Sequence, residues 1–173
     1  KKLIPLIEEH IYSFENEEIE KSIGKILKES GTSLSVAESC TGGYLSHLLT
    51  SISGSSAYFM GGVVSYSNEA KMDVLKVKQE TLTKFGAVSE QTVIEMSEGV
   101  RNLMKTTYGI ATSGIAGPNG GTDEKPVGTV WLAVTDGKQT LTKKLSLGKI
   151  RIVNIEYSAK AALNFLRILT KGK

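Results

Sequence analysis

A serine, a lysine and a tyrosine with the chemistry of nucleophilic catalysis lie near the ends of two predicted strands. Ser39 follows the strand predicted at 33–37 and precedes a predicted helix. A hydroxyl at that junction is exposed, and helix amides can stabilise a neighbouring oxyanion. Tyr66 ends a second strand, and Lys71 follows one helical turn into the next element. Because a desolvated lysine can accept the proton of a serine, the pattern predicts a Ser–Lys pair.

Each of these residues also has an ordinary structural interpretation. Ser39 lies where a nucleophile elbow would place it, but its surroundings are not Gly-x-Ser-x-Gly, and serine is a favoured helix cap. A solvated surface position is the usual interpretation of a lysine such as Lys71, and only convergence with Ser39 favours a functional one. Cys40 is a rival nucleophile at a helix N-terminus, although a buried structural cysteine is favoured because no histidine lies nearby in the sequence. Two histidines and one cysteine do not make a dedicated zinc site.

A glycine-rich segment at 114–121 follows the third predicted strand. Such a loop can wrap a phosphate, because glycine lets the backbone approach a ligand closely. The segment lacks the Lys-Ser/Thr ending of a P-loop and does not match Gly-x-Gly-x-x-Gly. A plain connecting loop is an equally good interpretation.

The elements that carry these residues alternate between strand and helix. Strands are predicted at 33–37, 61–66, 108–112 and 129–135, and the last of these has a hairpin partner at 140–147. Helices are predicted at 17–30, from 41 or 42 to about 49, from 68, at 81–85, at 90–106 and at 150–169. Asn16, Ser67 and Ser89 are placed to cap helices, and Gly31 to end one. This order predicts an α/β fold, a three-layer α/β/α sandwich around a mixed, mostly parallel sheet of about five strands. Ligands of such sheets bind outside the carboxyl ends of the strands, where the polar segments after the first three strands converge.

Composition excludes several classes of protein. Hydrophobic residues make up 40% of the 173 and charged residues 23%, which is typical of a globular domain. A net charge of +3 and 6% aromatic residues do not indicate nucleic-acid binding. No signal peptide and no apolar run of ~18 residues is visible, so no membrane partner is predicted. With one cysteine no internal disulfide forms, and a reducing cytoplasmic location is predicted.

Five segments, in order along the chain, resemble the CinA C-terminal domain family. They are Ala-Glu-Ser-Cys-Thr-Gly-Gly at 37–43, Tyr-Ser-Asn-Glu-Ala-Lys at 66–71, Gly-Ala-Val-Ser-Glu at 86–90, Ser-Gly-Ile-Ala-Gly-Pro at 113–118 and Glu-Lys-Pro-Val-Gly-Thr-Val at 124–130. The resemblance covers roughly 17–169. It implies a nicotinamide mononucleotide deamidase, which hydrolyses the carboxamide to the carboxylate and releases ammonia and nicotinic acid mononucleotide. It implies neither a metal nor an organic cofactor.

Residue roles follow from the resemblance position by position. Ser39 resembles the family nucleophile, and Lys71 and Tyr66 resemble the groups that activate it and position the amide. Ser56 resembles a second hydroxyl of the site. Ser113 stands where the family has threonine or serine, next to Gly114 of the glycine-rich loop.

Two further questions about the site stay open at the level of sequence. The amides of Cys40, Thr41, Gly42 and Gly43 can serve as oxyanion donors, or they can bind the 5′-phosphate of the substrate. The family commonly has Gly-Asp-Arg after the last strand, and here Ile150 occupies the arginine position. Either Arg151 or Lys149 then replaces that arginine, or phosphate binding is weakened.

The resemblance also bears on domains and partners. Residues 1–14, with a weak helical stripe of apolar residues, are predicted to be the remnant of an N-terminal connector, and 15–173 to be the CinA C-terminal domain. In full-length relatives the domain follows a molybdopterin-binding-like domain. A homodimer is the default assembly. The alternative function is a non-catalytic nucleotide-binding or dimerisation module, motivated by Ile150.

Overall fold

A computed structural model of the chain describes residues 17–171, where strands and helices alternate as predicted. The strands are β1 (Leu34–Glu38), β2 (Phe59–Val64), β3 (Tyr108–Gly114), β4 (Thr129–Thr135) and β5 (Thr140–Ser146). The helices are α1 (Ile19–Ser30), α2 (Tyr44–Thr50), α3 (Asn68–Leu75), α4 (Gln79–Phe85), α5 (Glu90–Met104) and α6 (Arg151–Lys171). Within this part of the chain, no helix is both long and apolar enough to cross a membrane.

The five strands form one mixed sheet in the order β2-β1-β3-β4-β5. β1 pairs in parallel with β2 and with β3, whereas β4 runs antiparallel to β3 and to β5. β4 is therefore the one reversed strand of this sheet, which confirms the predicted hairpin. Because β1, β2 and β3 run the same way, the segments that follow them meet at one edge of the sheet.

Helices cover both faces of the sheet, which confirms the three-layer architecture. Strand alternation divides the core: Leu132 and Val134 of β4 pack with α1, α2 and α6, whereas Ala133 packs with α3 and α5 on the other face. The second face carries small residues on its central strands, among them Ala37 and Ala111. Small side chains let α5 pack closely against the sheet there.

Element boundaries differ from the predictions where local turns intervene. α2 begins at Tyr44, not at 41 or 42, because Gly42 and Gly43 adopt positive φ angles of 59° and 99° that a helix does not admit. The caps at Ser67 and Ser89 are confirmed, each accepting a hydrogen bond from a helix amide, and Gly31 ends α1 in a left-handed conformation. Asn16 and the apolar stripe within residues 1–14 lie outside the described residues.

Candidate active site

The turn between β1 and α2 is organised by a buried carboxylate. Glu38, the last residue of β1, is fully buried. Its Oε2 accepts hydrogen bonds from Thr41 Oγ1 at 2.7 Å and from the amides of Gly43 and Leu45 at 3.0 Å. Its Oε1 accepts from the Ser46 amide at 2.8 Å and from Ser46 Oγ at 2.6 Å. Glu38 therefore satisfies the amino end of α2, where free amides favour a negative group.

Ser39 is consequently not a helix cap. The amides that it would cap donate to Glu38 instead, and the residue flanking α2, Gly43, contributes no side chain. The backbone amide of Ser39 donates to the carbonyl of Thr112 on β3, which fixes the residue at the sheet edge. Its hydroxyl thus stays available for another partner.

That partner is Lys71 of α3. Lys71 Nζ lies 3.1 Å from Ser39 Oγ and 2.8 Å from the carbonyl oxygen of Ser65. The side chain is buried, with only 1% of its surface exposed. Burial lowers the pKa of Lys71 below its ordinary value, because water no longer stabilises the ammonium form. The solvated-surface interpretation of Lys71 is therefore wrong.

Cys40, the rival nucleophile, has the opposite character. It is buried, and burial raises the pKa of its thiol to about 12. Because the thiolate is the reactive form, a thiol with so high a pKa is a poor nucleophile near neutral pH. Burial of the thiol therefore favours Ser39 over Cys40 as the nucleophile.

Ser39 and Lys71 line a cleft of about 240 Å³ at the predicted edge of the sheet. We call it the reactive cleft. Its walls are formed by Ser39, Cys40, Tyr66, Asn68, Lys71, Ala87, Val88, Ser113, Gly114, Ala116 and Arg151. The cleft thus contains the residues after all three parallel strands and the first residue of α6.

A guanidinium stands at the mouth of this cleft. Arg151 donates to the carbonyl of Gly117 at 2.9 Å and to the hydroxyl of Tyr66 at 3.2 Å. Tyr66 is 64% exposed and pairs with Arg151 at the rim. Ile150 is 63% exposed and, like Lys149, does not line the cleft. Of the two proposed replacements for the family arginine, the structure therefore brings Arg151 to the site.

Buried hydroxyls connect the segments that form the cleft. Ser113 donates to the carbonyl of Ala87 at 2.7 Å and so fixes the segment before α5. Thr41 Oγ1 lies 2.8 Å from Thr112 Oγ1, which links the turn after β1 to β3. Of the glycine-rich loop, Gly114 lines the cleft, and Gly117 contributes a carbonyl to Arg151.

Some predicted site residues are not brought to the cleft. Ser56 is exposed in the 3-10 turn Ser55–Ala57, which precedes β2 and so lies at the opposite end of that strand. The Gly43 amide donates to Glu38, and the Gly42 amide donates to the carbonyl of Ser39. Thr41 is buried and does not line the cleft either, so the Cys40 amide is left as the candidate oxyanion donor of that run.

Sequence reasoning missed two residues. Glu38 adjoins the predicted nucleophile, and a carboxylate just before a strand-to-helix turn was the signal for a helix-capping role. Asn68, the first residue of α3, lies inside the segment 66–71 that carried the family resemblance. Within residues 17–171, no group of three or more His, Cys, Asp or Glu side chains is arranged to hold a metal ion.

Comparison with known proteins gives consistent results. A family model described as CinA C-terminal domain matches residues 16–170. A CinA-like protein of Cytophaga hutchinsonii is 49% identical over 165 residues, which cover 95% of this chain and 40% of that protein. A putative competence-damage inducible protein of Desulforudis audaxviator is 42% identical over 170 residues, which cover 96% of this chain and 41% of that protein. The chain therefore spans about 40% of the length of these curated relatives.

Solved structures show the same fold. A CinA superfamily protein from Klebsiella pneumoniae aligns with a TM-score of 0.86 at 36% identity, covering 90% of this chain and 97% of that one. A competence/damage inducible protein from Agrobacterium tumefaciens aligns with a TM-score of 0.83 at 39% identity, covering 91% and 98%. The family model, the sequence relatives and the shared fold together establish that this chain belongs to the CinA C-terminal domain family.

Proposed function

We propose that the chain is an amidohydrolase that converts nicotinamide mononucleotide and water to nicotinic acid mononucleotide and ammonia. The observation that carries the proposal is the 3.1 Å contact between Ser39 Oγ and the buried Lys71 Nζ inside a cleft. Such a pair supplies both a nucleophile and its base. The identity of the amide substrate rests on the family resemblance.

In the first half of the reaction, neutral Lys71 accepts the proton of Ser39 while Oγ attacks the carboxamide carbon. The Ser65 carbonyl accepts one N–H of Lys71, which holds Nζ beside Ser39. The amide of Cys40 stabilises the oxyanion of the tetrahedral intermediate. Lys71 then returns the proton to the leaving nitrogen, and ammonia departs from an acyl-Ser39 ester.

In the second half, water replaces ammonia. Lys71 takes a proton from the water, whose oxygen attacks the ester carbon, and then returns a proton to Ser39 Oγ as the ester bond breaks. The product is a carboxylate. Arg151, fixed by Gly117 and Tyr66, retains further N–H donors at the mouth of the cleft and favours an anionic substrate.

The test is ammonia release from nicotinamide mononucleotide by the purified chain and by the Ser39→Ala variant. Ser51→Ala is a matched control, because Ser51 is exposed and its hydroxyl bonds only the end of its own helix. We expect release by the parent and the control and none by Ser39→Ala, with all three folded. Unchanged turnover in Ser39→Ala would show that Ser39 is not the nucleophile.

Absence of release by the folded parent would instead favour the non-catalytic nucleotide-binding or dimerisation module. The feature that motivated that alternative, Ile150, now carries less weight because Arg151 reaches the cleft. The homodimer, the cytoplasmic location and the N-terminal molybdopterin-binding-like domain of full-length relatives remain predictions.

A further inference from the structure

The reactive cleft is small for a whole nucleotide. Its volume of about 240 Å³ lies below the ~300–1,000 Å³ of most small-molecule sites. The amino end of α2, where such folds often bind phosphate, is occupied by the Glu38 carboxylate. A substrate whose amide reaches Ser39 can therefore extend its phosphate beyond this cleft.

A second cleft of about 430 Å³ adjoins the first and shares Val88 with it. We call it the Trp131 cleft, because the half-buried indole of β4 forms part of its floor. Its other walls come from the end of α4, the start of α5, the loop after β3 and strand β5. A ligand that enters the reactive cleft can extend past Val88 into this space.

Strand register places the two clefts along one line. Ser113 pairs with Trp131 across β3 and β4, and Trp131 pairs with Lys144 across β4 and β5. Paired residues point to the same face of a sheet. Ser39 directly follows β1, and strands β3 and β4 lie between β1 and β5. The backbone of Ser39 is therefore three strand spacings, or ~14 Å, from that of Lys144.

Cations from three separate elements line the Trp131 cleft: Lys84 of α4, Lys125 of the loop and Lys144 of β5. Lys125 Nζ donates to the carbonyl of Phe85 at 2.7 Å, which fixes the ammonium at the rim. Two carboxylates also line the cleft. Glu90 accepts a hydrogen bond from Thr142, and Glu124 is exposed on the loop.

We propose that the Trp131 cleft binds the phosphate-bearing end of the nucleotide, with Lys144 and Lys125 as its cationic contacts. The sugar phosphate lies across Val88 toward the indole of Trp131. The connection to the amide at Ser39 rests on the proposed function, whereas phosphate binding by the lysines does not depend on turnover. Arg151, which lines the reactive cleft and not the Trp131 cleft, is the competing location for the phosphate.

The fluorescence of Trp131 reports on this cleft directly, because it is the one tryptophan of the chain. Ribose 5-phosphate is the probe, since it carries the phosphate and has no amide, and ribose is the uncharged comparison. We expect a saturable fluorescence change with ribose 5-phosphate and none with ribose. Lys144→Ala is expected to weaken the apparent affinity roughly tenfold, the loss of one charged hydrogen bond.

Lys143→Ala is the matched control, because Lys143 is the adjacent residue of β5 and lines a groove on the other face of the sheet. It should leave the affinity unchanged. The proposal is overturned if Trp131 does not respond, if Lys143→Ala weakens binding as much as Lys144→Ala, or if Arg151→Ala abolishes binding that Lys144→Ala leaves intact.

Failure of this proposal and failure of the proposed function are distinguishable. Lys144-dependent binding of ribose 5-phosphate without ammonia release from nicotinamide mononucleotide would support the phosphate site and contradict the proposed reaction. Ammonia release from nicotinamide mononucleotide, with a KM that Lys144→Ala does not change, would support the reaction and contradict the phosphate site.

Discussion

Replacing Glu38 by glutamine tests whether the carboxylate next to Ser39 holds the site together. The carboxylate accepts five hydrogen bonds, three of them from backbone amides of Gly43, Leu45 and Ser46. A glutamine of the same shape keeps one acceptor oxygen. If that oxygen takes the place of Oε2, the new NH₂ group faces the Ser46 amide, which then has no acceptor.

The expected loss of stability follows from this count. A buried amide without an acceptor costs ~1–3 kcal/mol. The three hydrogen bonds to the remaining oxygen become neutral and lose ~1 kcal/mol each. The total of about 4–6 kcal/mol is a large share of a domain stability of ~5–15 kcal/mol. At an m-value of ~2 kcal/mol/M, the urea midpoint should fall by at least ~2 M.

Urea unfolding followed by circular dichroism measures this loss, and ammonia release at low temperature measures the site. Glu95→Gln is the matched control, because Glu95 is only partly buried and accepts two hydrogen bonds, from the Lys78 amide and from Thr81. We expect the control to lose less than ~1 kcal/mol. A Glu38→Gln midpoint equal to that of the control would refute the assigned role of the carboxylate.

Two further predictions concern the base and the packing of α5. Activity requires Lys71 to be neutral, so kcat/KM should rise with pH as Lys71 loses its proton, and burial places the midpoint of that rise below the ordinary lysine pKa of 10.5. A pH–rate profile that does not rise, or whose midpoint lies at or above 10.5, would contradict this. Gly99→Ala should destabilise the fold by ~1–3 kcal/mol, because the new Cβ would overlap the carbonyl oxygen of Leu75 at the end of α3. Gly148→Ala, whose Cβ would contact nothing within 4 Å, should unfold at the same urea concentration as the parent.

The sequence by itself predicted the elements whose signals are local. A near-continuous apolar run placed β4 at its observed bounds, Thr129–Thr135, and the hydroxyl caps Ser67 and Ser89 began the helices that they were expected to begin. Ser39 and Lys71 were singled out because each follows a strand that ends at the same sheet edge. Such signals are readable because each depends on residues a few positions apart.

The tertiary structure decided what each of those residues meets. Ser39 and Lys71 are 32 positions apart, so their contact depends on the parallel register of β1 and β2 and on the packing of α3. Burial of Lys71 changes its chemistry, and no local pattern specifies burial by distant elements. The choice of Arg151 over Lys149, and the row formed by Ser113, Trp131 and Lys144, likewise follow from the start of α6 and from strand pairing. The sequence specified the candidate groups, and long-range packing determined which of them act together.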